Sequence, residues 1–417
     1  MSPTQEPVSE SAVRWDWRRF LFVAGPGVVV MLADTDAGSL ITAAQSGAQW
    51  GYRLLLLQLV LIPILYFVQE LTVRLGIVTG KGHAQCIKEQ FGAGWAWLSV
   101  GTLMLSCIGA LLTEFSGLAG VGALIGAPVP LTLALVVTLL LAMAMTRSYL
   151  TVERIAIAVG AFELVFLLVA WLAHPDPGEL AAQAFSIPIT NSKYLYLASA
   201  NIGAVVMPWM VFFQQSSVVE RGLRFSDLGA ARLDTGVGAV ITQLVMAAAL
   251  VAAAATLGRR GGEHALDTVE EIAAAITPFL GEVGGKLLFG LGMVGASLVA
   301  TIVVTLTAAR AVAEALGQPN SLDHRLSEAP WFYGAYAFTL IAGALIVASR
   351  VDLVSLSVAV QVMNALLLPI VVGFLFLLAR RLPQPYRLQG FYGLAATVVT
   401  AIAVAFGVAA GIAGIWS

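Results

Sequence analysis

Charge is what this sequence has least of. Asp, Glu, Lys and Arg make up 11% of its 417 residues, against roughly 25% in soluble domains, while 59% of the residues are hydrophobic. That excludes an ordinary water-soluble globule and leaves an integral membrane protein with little mass outside the bilayer. Cysteine is nearly absent. Cys86 and Cys107 form no pattern, and Cys107 lies in an apolar run where it reads as packing. No basic run suggests nucleic acid, and the formal net charge is −2. No nucleophile–base constellation is visible, so no enzyme activity and no cofactor are expected. No cleavable signal peptide is apparent. The four histidines, His83, His174, His264 and His324, all fall in segments read as loops. No histidine relay is therefore expected inside the bilayer. The absence of a large soluble domain argues against a sensor that does not transport.

Long apolar runs are what the sequence has in abundance. About 20 apolar residues cross the hydrocarbon core. On that measure eleven spans are expected, near 20–50, 54–79, 93–126, 129–146, 150–173, 194–217, 233–257, 284–314, 331–349, 352–379 and 391–415. Residues 1–13 are polar and read as disordered. Arg14, Trp15, Trp17, Arg18 and Arg19 form an interfacial anchor. With the N-terminus in the cytoplasm, only Arg53, Lys193, Arg259, Arg260, Lys286 and Arg350 of the 22 Lys and Arg residues fall outside. That bias sets a multi-pass protein of the plasma (inner) membrane with its C-terminus outside.

The first run carries the anomaly. Ala33-Asp34-Thr35-Asp36-Ala37-Gly38-Ser39 places two carboxylates at the expected bilayer centre, where even one Asp costs roughly 2.5–3.5 kcal/mol. Gly38 favours backbone freedom, and Asp, Thr and Ser bond their own backbone in place of a helix. The stretch therefore reads as a broken helix whose unwound middle turns carbonyls and carboxylates inward. Further acids at membrane depth are Glu114, read as either a gate or proton-path residue or a packing acid, and Glu163. Glu163 and Glu70, the latter near the inner end of span two, are expected to be structural or interfacial.

A second break is expected in span six, at Asn201-Ile202-Gly203-Ala204-Val205-Val206-Met207-Pro208-Trp209. Pro208 cannot donate to the helix ladder, which frees the carbonyl of Ala204. That carbonyl beside the Met207 thioether makes an ion-binding pair. Breaks at corresponding places in two halves point to a transporter site at the bilayer midplane. The expected architecture is all-α: a first five-helix repeat within 1–174, an inverted second repeat within 193–380, and an additional helix at 391–415. Helices 1 and 6 are the broken ones.

With both breaks in view, the chain resembles the Nramp family of divalent-metal transporters. The similarity is densest at Gly25-Pro26-Gly27, Gly47-Ala48-Gln49-Trp50-Gly51-Tyr52, Arg74-Leu75-Gly76-Ile77-Val78-Thr79-Gly80 and Met207-Pro208. The resemblance implies the inverted-repeat fold of amino-acid transporters and a metal held between helices 1 and 6. The family's Asp-Pro-Gly-Asn falls on Asp36-Ala37-Gly38-Ser39, so the acid is kept, Pro becomes Ala, and the Asn ligand becomes Ser. Asp34 is an extra acid. The family's Ala and Met ligands match Ala204 and Met207. Its two histidines of span six become Trp209 and Gln214, and its acidic pair in span three matches Glu114 and Gly117.

Asp36 and Asp34 would together balance a divalent ion. Ser39 and the carbonyls of Ala33 and Ala204 offer neutral oxygen. Met207 favours a softer ion such as Mn²⁺ or Fe²⁺, whereas an added Asp and a lost Asn suit Mg²⁺. A small organic solute coupled to a cation at Asp36 is a third reading. Trp209, Gln214 and Gly117 cannot carry protons, so weak or absent proton coupling is expected. A monomer is expected to suffice.

Overall fold

The computed structural model describes residues 26–146, 148–257, 266, 268–276, 281–349 and 353–416. Among these residues the regular structure is entirely helical. Backbone polar groups have no water to bond in hydrocarbon, so spanning segments satisfy them internally. The interfacial anchor, the start of the first run, Arg147, Arg259, Arg260, His264 and Arg350 lie outside the described residues.

The first run is two helices, α1 (Pro26–Asp34) and α2 (Ala37–Trp50), separated only by Thr35 and Asp36. The break is narrower than the expected Ala33–Ser39. Gly38 and Ser39 are already helical, because α2 finds a cap at Asp36 and needs no further unwinding. A 3₁₀ turn at Gly51–Leu54 leads to α3 (Leu55–Thr79). Gly80 ends α3 in the left-handed region, φ 62°, its N–H bonded to the Gly76 carbonyl. Next come α4 (His83–Phe91), α5 (Ala93–Leu124) and α6 (Val129–Ala144). The fifth run is not one helix but α7 (Tyr149–Gly160) and α8 (Val165–Leu172), interrupted by a 3₁₀ turn at Ala161–Leu164. The short α9 (Pro177–Ala184) follows, capped by Asp176. The sixth run is α10 (Ser192–Val205) and α11 (Pro208–Glu220), broken at Val206 and Met207. The remainder is α12 (Leu228–Leu257), α13 (Val269–Ile276), α14 (Gly281–Leu316), α15 (Pro330–Ala348), α16 (Leu353–Arg380) and α17 (Gly390–Ile415).

By length and hydropathy, nine helical stretches among the described residues can cross a membrane, and α6 is a shorter apolar helix. The first of the nine, Ala37–Thr79, joins α2 and α3 through the turn at Gly51.

Packing has an exchange symmetry. Helix α12 lies on α1 and α2 as α3 lies on α10 and α11; α3 packs on α12, and α5 on α14. Two glycines allow the closest approaches. A Cβ on Gly47 of α2 would stand 2.1 Å from the Leu250 carbonyl of α12, and one on Gly203 of α10 would stand 1.8 Å from the Gln361 carbonyl of α16. Small residues let helix backbones meet in this way where lipid offers no hydrophobic drive.

At one end, ion pairs tie the helices together. Buried Glu70 holds Arg74 of its own helix, Arg232 of α12 at 2.8 Å and the Tyr392 hydroxyl of α17 at 2.9 Å. Arg221 reaches Glu153 at 2.9 Å, and Arg310 pairs with Glu220. His83 is a correction to the sequence reading: it opens helix α4 and is fully buried. Its Nδ1 lies 2.8 Å from Gln215 Oε1, and burial holds its pKa down at about 4, so the ring is neutral.

Candidate functional site

The two breaks face each other in the middle of the molecule. Helix α2 begins there, and its first N–H groups have no partner within the helix. Two carboxylates meet them. Asp36 is the N-cap, and its Oδ1 accepts from the Ser39 N–H at 2.6 Å. Glu114 of α5 accepts from the Ala37 N–H at 3.1 Å through Oε2. Negative charge is favoured at this end of a helix. The Ala in place of the family's Pro has a structural consequence: a proline at 37 would have no N–H to give Glu114.

Helix α11 begins symmetrically with Pro208 in its first turn, a position where the missing N–H costs nothing. Met207 is its N-cap, in extended conformation. The carbonyl of Ala204, left free by the break, accepts from the Ser39 hydroxyl at 3.0 Å. That bond joins the first break to the second. The Met207 sulfur accepts from the Trp209 indole N–H at 3.2 Å. Gln214 faces elsewhere: it accepts from the Thr72 hydroxyl at 2.6 Å and points its amide toward Thr235.

All of these groups are sealed from solvent. Asp36, Ser39, Ala33, Ala204, Met207, Trp209, Gln214 and Glu114 are fully buried, and Asp34 is 1% exposed. Both oxygens of Asp34, and Asp36 Oδ2, lack a hydrogen-bond partner. Among the described residues no ion pair joins Asp34, Asp36, Glu114 or Glu163 to a cationic side chain. Buried carboxylates without donors or counter-charges are costly. Such a group of buried carboxylates is suited to a cation. Among the described residues no three His, Cys, Asp or Glu converge as a metal cluster, so a metal here would draw on carbonyl, hydroxyl, amide and thioether groups as well as carboxylate.

Three neighbours take roles that the sequence did not show. Thr35, inside the break, contacts Glu163 of the 3₁₀ turn between α7 and α8. Glu163 is thus neither interfacial nor remote from the site, because the interruption of the fifth run turns its side chain toward the first. Gln361 of α16 has a buried amide nitrogen without a partner, 2.6 Å from where a Cβ on Gly38 would stand. Its Oε1 accepts from Asn364 at 2.9 Å, and Ser106 donates to Asn364 at 2.8 Å. Asn201 of α10 bridges Gln58 and Ser46 on the far side of the break. The available signal was uncharged amides inside apolar runs, which a search for charge passes over. Gly117, where an acid was expected from the family pattern, has no room: a Cβ would stand 2.6 Å from Ala37 Cβ and 2.8 Å from Ser297 Oγ.

The family model for natural resistance-associated macrophage protein-like chains matches residues 27–413. A divalent metal cation transporter MntH of Xanthomonas campestris pv. campestris is 31% identical over 307 residues, covering 70% of this chain and 68% of its own. One of the same description from Pectobacterium carotovorum subsp. carotovorum is 28% identical, over 72% and 74%. Among solved structures, the manganese transporter of Eremococcus coleocola superposes with a TM-score of 0.76 at 18% identity, covering 98% of this chain and 90% of that one. A nucleobase-cation-symport-1 family transporter in a closed conformation gives 0.60 at 13%, over 94% and 92%. At such identities these structures share the fold. The family match along nearly the whole described chain, with the 31% identical relative, places this multi-pass membrane protein in the Nramp family.

Proposed function

We propose that the chain carries a divalent metal cation across the plasma membrane by alternating access, binding it between the two breaks. The observation that carries this reading is Asp36. It is a fully buried carboxylate with one free oxygen, at a junction where Ser39 already bonds the freed Ala204 carbonyl. Asp36 is the principal ligand. Ser39, Met207 and the carbonyls of Ala204 and Ala33 complete the shell, and Asp34 supplies the second negative charge. The N-terminus lies in the cytoplasm and the C-terminus outside. The two inverted repeats occupy 1–174 and 193–380, the helix at 391–415 is additional, and one chain suffices.

A transition ion, Mn²⁺ or Fe²⁺, is favoured because the soft thioether of Met207 stands at the second break. The competing cargo is Mg²⁺, supported by the two unpartnered oxygens of Asp34 and by Ser39 in the Asn position, since Mg²⁺ uses one or two carboxylates and keeps its waters. In proteoliposomes loaded with a metal-sensitive dye, Met207→Ala is expected to weaken Mn²⁺ uptake by about tenfold, equivalent to ~1.4 kcal/mol, while Mg²⁺ is spared. Excess Mg²⁺ competing as well as Mn²⁺ against labelled Mn²⁺ in the unmutated protein would put the Mg²⁺ reading first.

Coupling follows from three residues. Trp209 and Gln214 do not titrate near neutral pH, and Gly117 has no side chain. Metal then moves down its electrochemical gradient. For two charges the potential supplies about 4.6 kcal/mol per 100 mV. With a pH dye inside the vesicles, metal entry is expected to leave internal pH unchanged. Acidification that disappears in Glu114→Gln would contradict this and make Glu114 a relay.

A further inference from the structure

The contact between Thr35 and Glu163 has a hydrogen-counting problem. The Thr35 hydroxyl lies against two acceptors, Glu163 Oε2 and the Leu32 carbonyl at 3.2 Å. A hydroxyl has one hydrogen, so it cannot serve both fully. The carboxyl also faces surroundings that disfavour charge. The small cavity beside it, about 50 Å³, is lined mostly by apolar groups such as Val28, Met31, Leu32 and Val237, with the hydroxyls of Thr35 and Thr242 as its other polar groups. The second oxygen, Oε1, is buried without a partner. No cationic side chain among the described residues pairs with it.

One arrangement resolves the hydrogen count and the buried charge. If Glu163 is a neutral acid, its O–H donates to Thr35 Oγ1, and Thr35 donates to the Leu32 carbonyl. Every hydrogen then has one acceptor, and no uncompensated charge is buried. Carboxylic acids held neutral in apolar sites donate hydrogen bonds in this way. We propose that Glu163 is a permanently protonated positioning residue whose carboxyl proton ties the break between α1 and α2 to the fifth spanning segment.

The backbone is built for the tie. The 3₁₀ turn at Ala161–Leu164 re-aims Glu163 where a continuous helix would carry it past. Gly160 lets the turn close on Leu32 of α1; a Cβ there would stand 3.0 Å from the leucine side chain. On the opposite side, Gly295 of α14 packs onto the Val159 carbonyl, where a Cβ would stand 2.6 Å away. The titratable groups nearest the pair are Asp34 and Asp36, flanking Thr35, and Glu114 beyond Ala37. Helix α12 presents Thr242, bonded to the Met31 carbonyl, and its Asp234 lies against Gly27 at the far end of α1. Helix α14 presents glycines at this level, with Arg310 and Glu314 near its other end.

The proposal rests on the transport reading but is tested partly apart from it. In proteoliposomes, Glu163→Gln keeps a neutral group able to donate to Thr35. Its metal uptake should stay within about twofold of the unmutated protein, with an unchanged profile from mildly acidic to mildly alkaline pH. Glu163→Leu, which cannot make the bond, should lose uptake on the order of tenfold. Independently of transport, infrared spectra of the purified protein should show a protonated carboxylic-acid band at neutral pH that vanishes in Glu163→Gln. The spectrum and the Gln variant carry the test even if the Leu variant fails to fold. Loss of uptake in Glu163→Gln would overturn the proposal by assigning a charged carboxylate. A pH dependence flattened by that substitution would overturn it by making the proton an exchanging one. Absence of the infrared difference would overturn it directly. If the unmutated protein moves no metal, the transport reading fails while the infrared test still stands.

Discussion

Asp36→Ala is expected to abolish metal uptake while the protein still inserts and folds. The carboxylate does two things at the break. Its Oδ1 caps α2 through the Ser39 N–H, and its Oδ2 is free and buried. Loss of an N-cap costs about 1 kcal/mol, which a protein of this size and burial withstands. Loss of the ligand charge is far larger, because Asp34 alone cannot balance a divalent ion. Asp34 lies at the end of α1, and Glu114 is already engaged by the Ala37 N–H and Thr113. Asp36→Asn separates the two roles: the amide oxygen retains the cap, the charge is gone, and uptake should still be lost. Retention of the size-exclusion profile and thermal midpoint, with no uptake in proteoliposomes, is the expected pair of results. Normal uptake by a well-folded Asp36→Ala protein would remove Asp36 from the site.

Gly203→Ala should instead damage the fold. The new methyl would lie 1.8 Å from the Gln361 carbonyl and 2.7 Å from the Ala365 nitrogen, both backbone. No rotamer change relieves a clash with backbone, so α10 and α16 must separate. Overpacking typically costs about 1–3 kcal/mol, and a main-chain clash belongs at or beyond the top of that range. Moving α10 also displaces the Ala204 carbonyl from Ser39. The control is Gly373→Ala in α16, where a Cβ meets nothing within 4 Å and helix propensity improves by up to about 1 kcal/mol. Thermal unfolding in detergent should show a marked drop for the first substitution and none for the second. Equal midpoints would mean that the α10–α16 contact does not limit stability.

Both expectations combine what a sequence shows with what it hides. The long apolar runs and the two breaks were readable, because charge or proline in an apolar run has few innocent explanations. The extent of the first break was not. Asp36 caps α2 so directly that Gly38 and Ser39 stay helical, and Gly38 serves close packing against Thr113 and Gln361. The 3₁₀ turn at Ala161–Leu164 has no proline to mark it, so the sequence assigns Glu163 only a structural or interfacial place. His83 looked like a loop residue because its helix is short and polar; burial comes from Gln215 and Phe212 across the chain. Gln361 carried no charge and went unnoticed, although its unpartnered amide nitrogen borders the break. For Glu163, His83 and Gln361 the missing information is a contact between segments distant in sequence.

The central claim is that a divalent cation binds between the two breaks, on Asp36 and Met207. A crystal of the protein soaked in Mn²⁺, measured at the manganese absorption edge, tests it most directly. A single anomalous peak within bonding distance of the Asp36 carboxylate and the Met207 sulfur, absent from Asp36→Ala crystals soaked identically, is the predicted result. A fully soaked crystal with no peak between α1 and α2 on one side and α10 and α11 on the other, or with a peak that persists in Asp36→Ala, would contradict it.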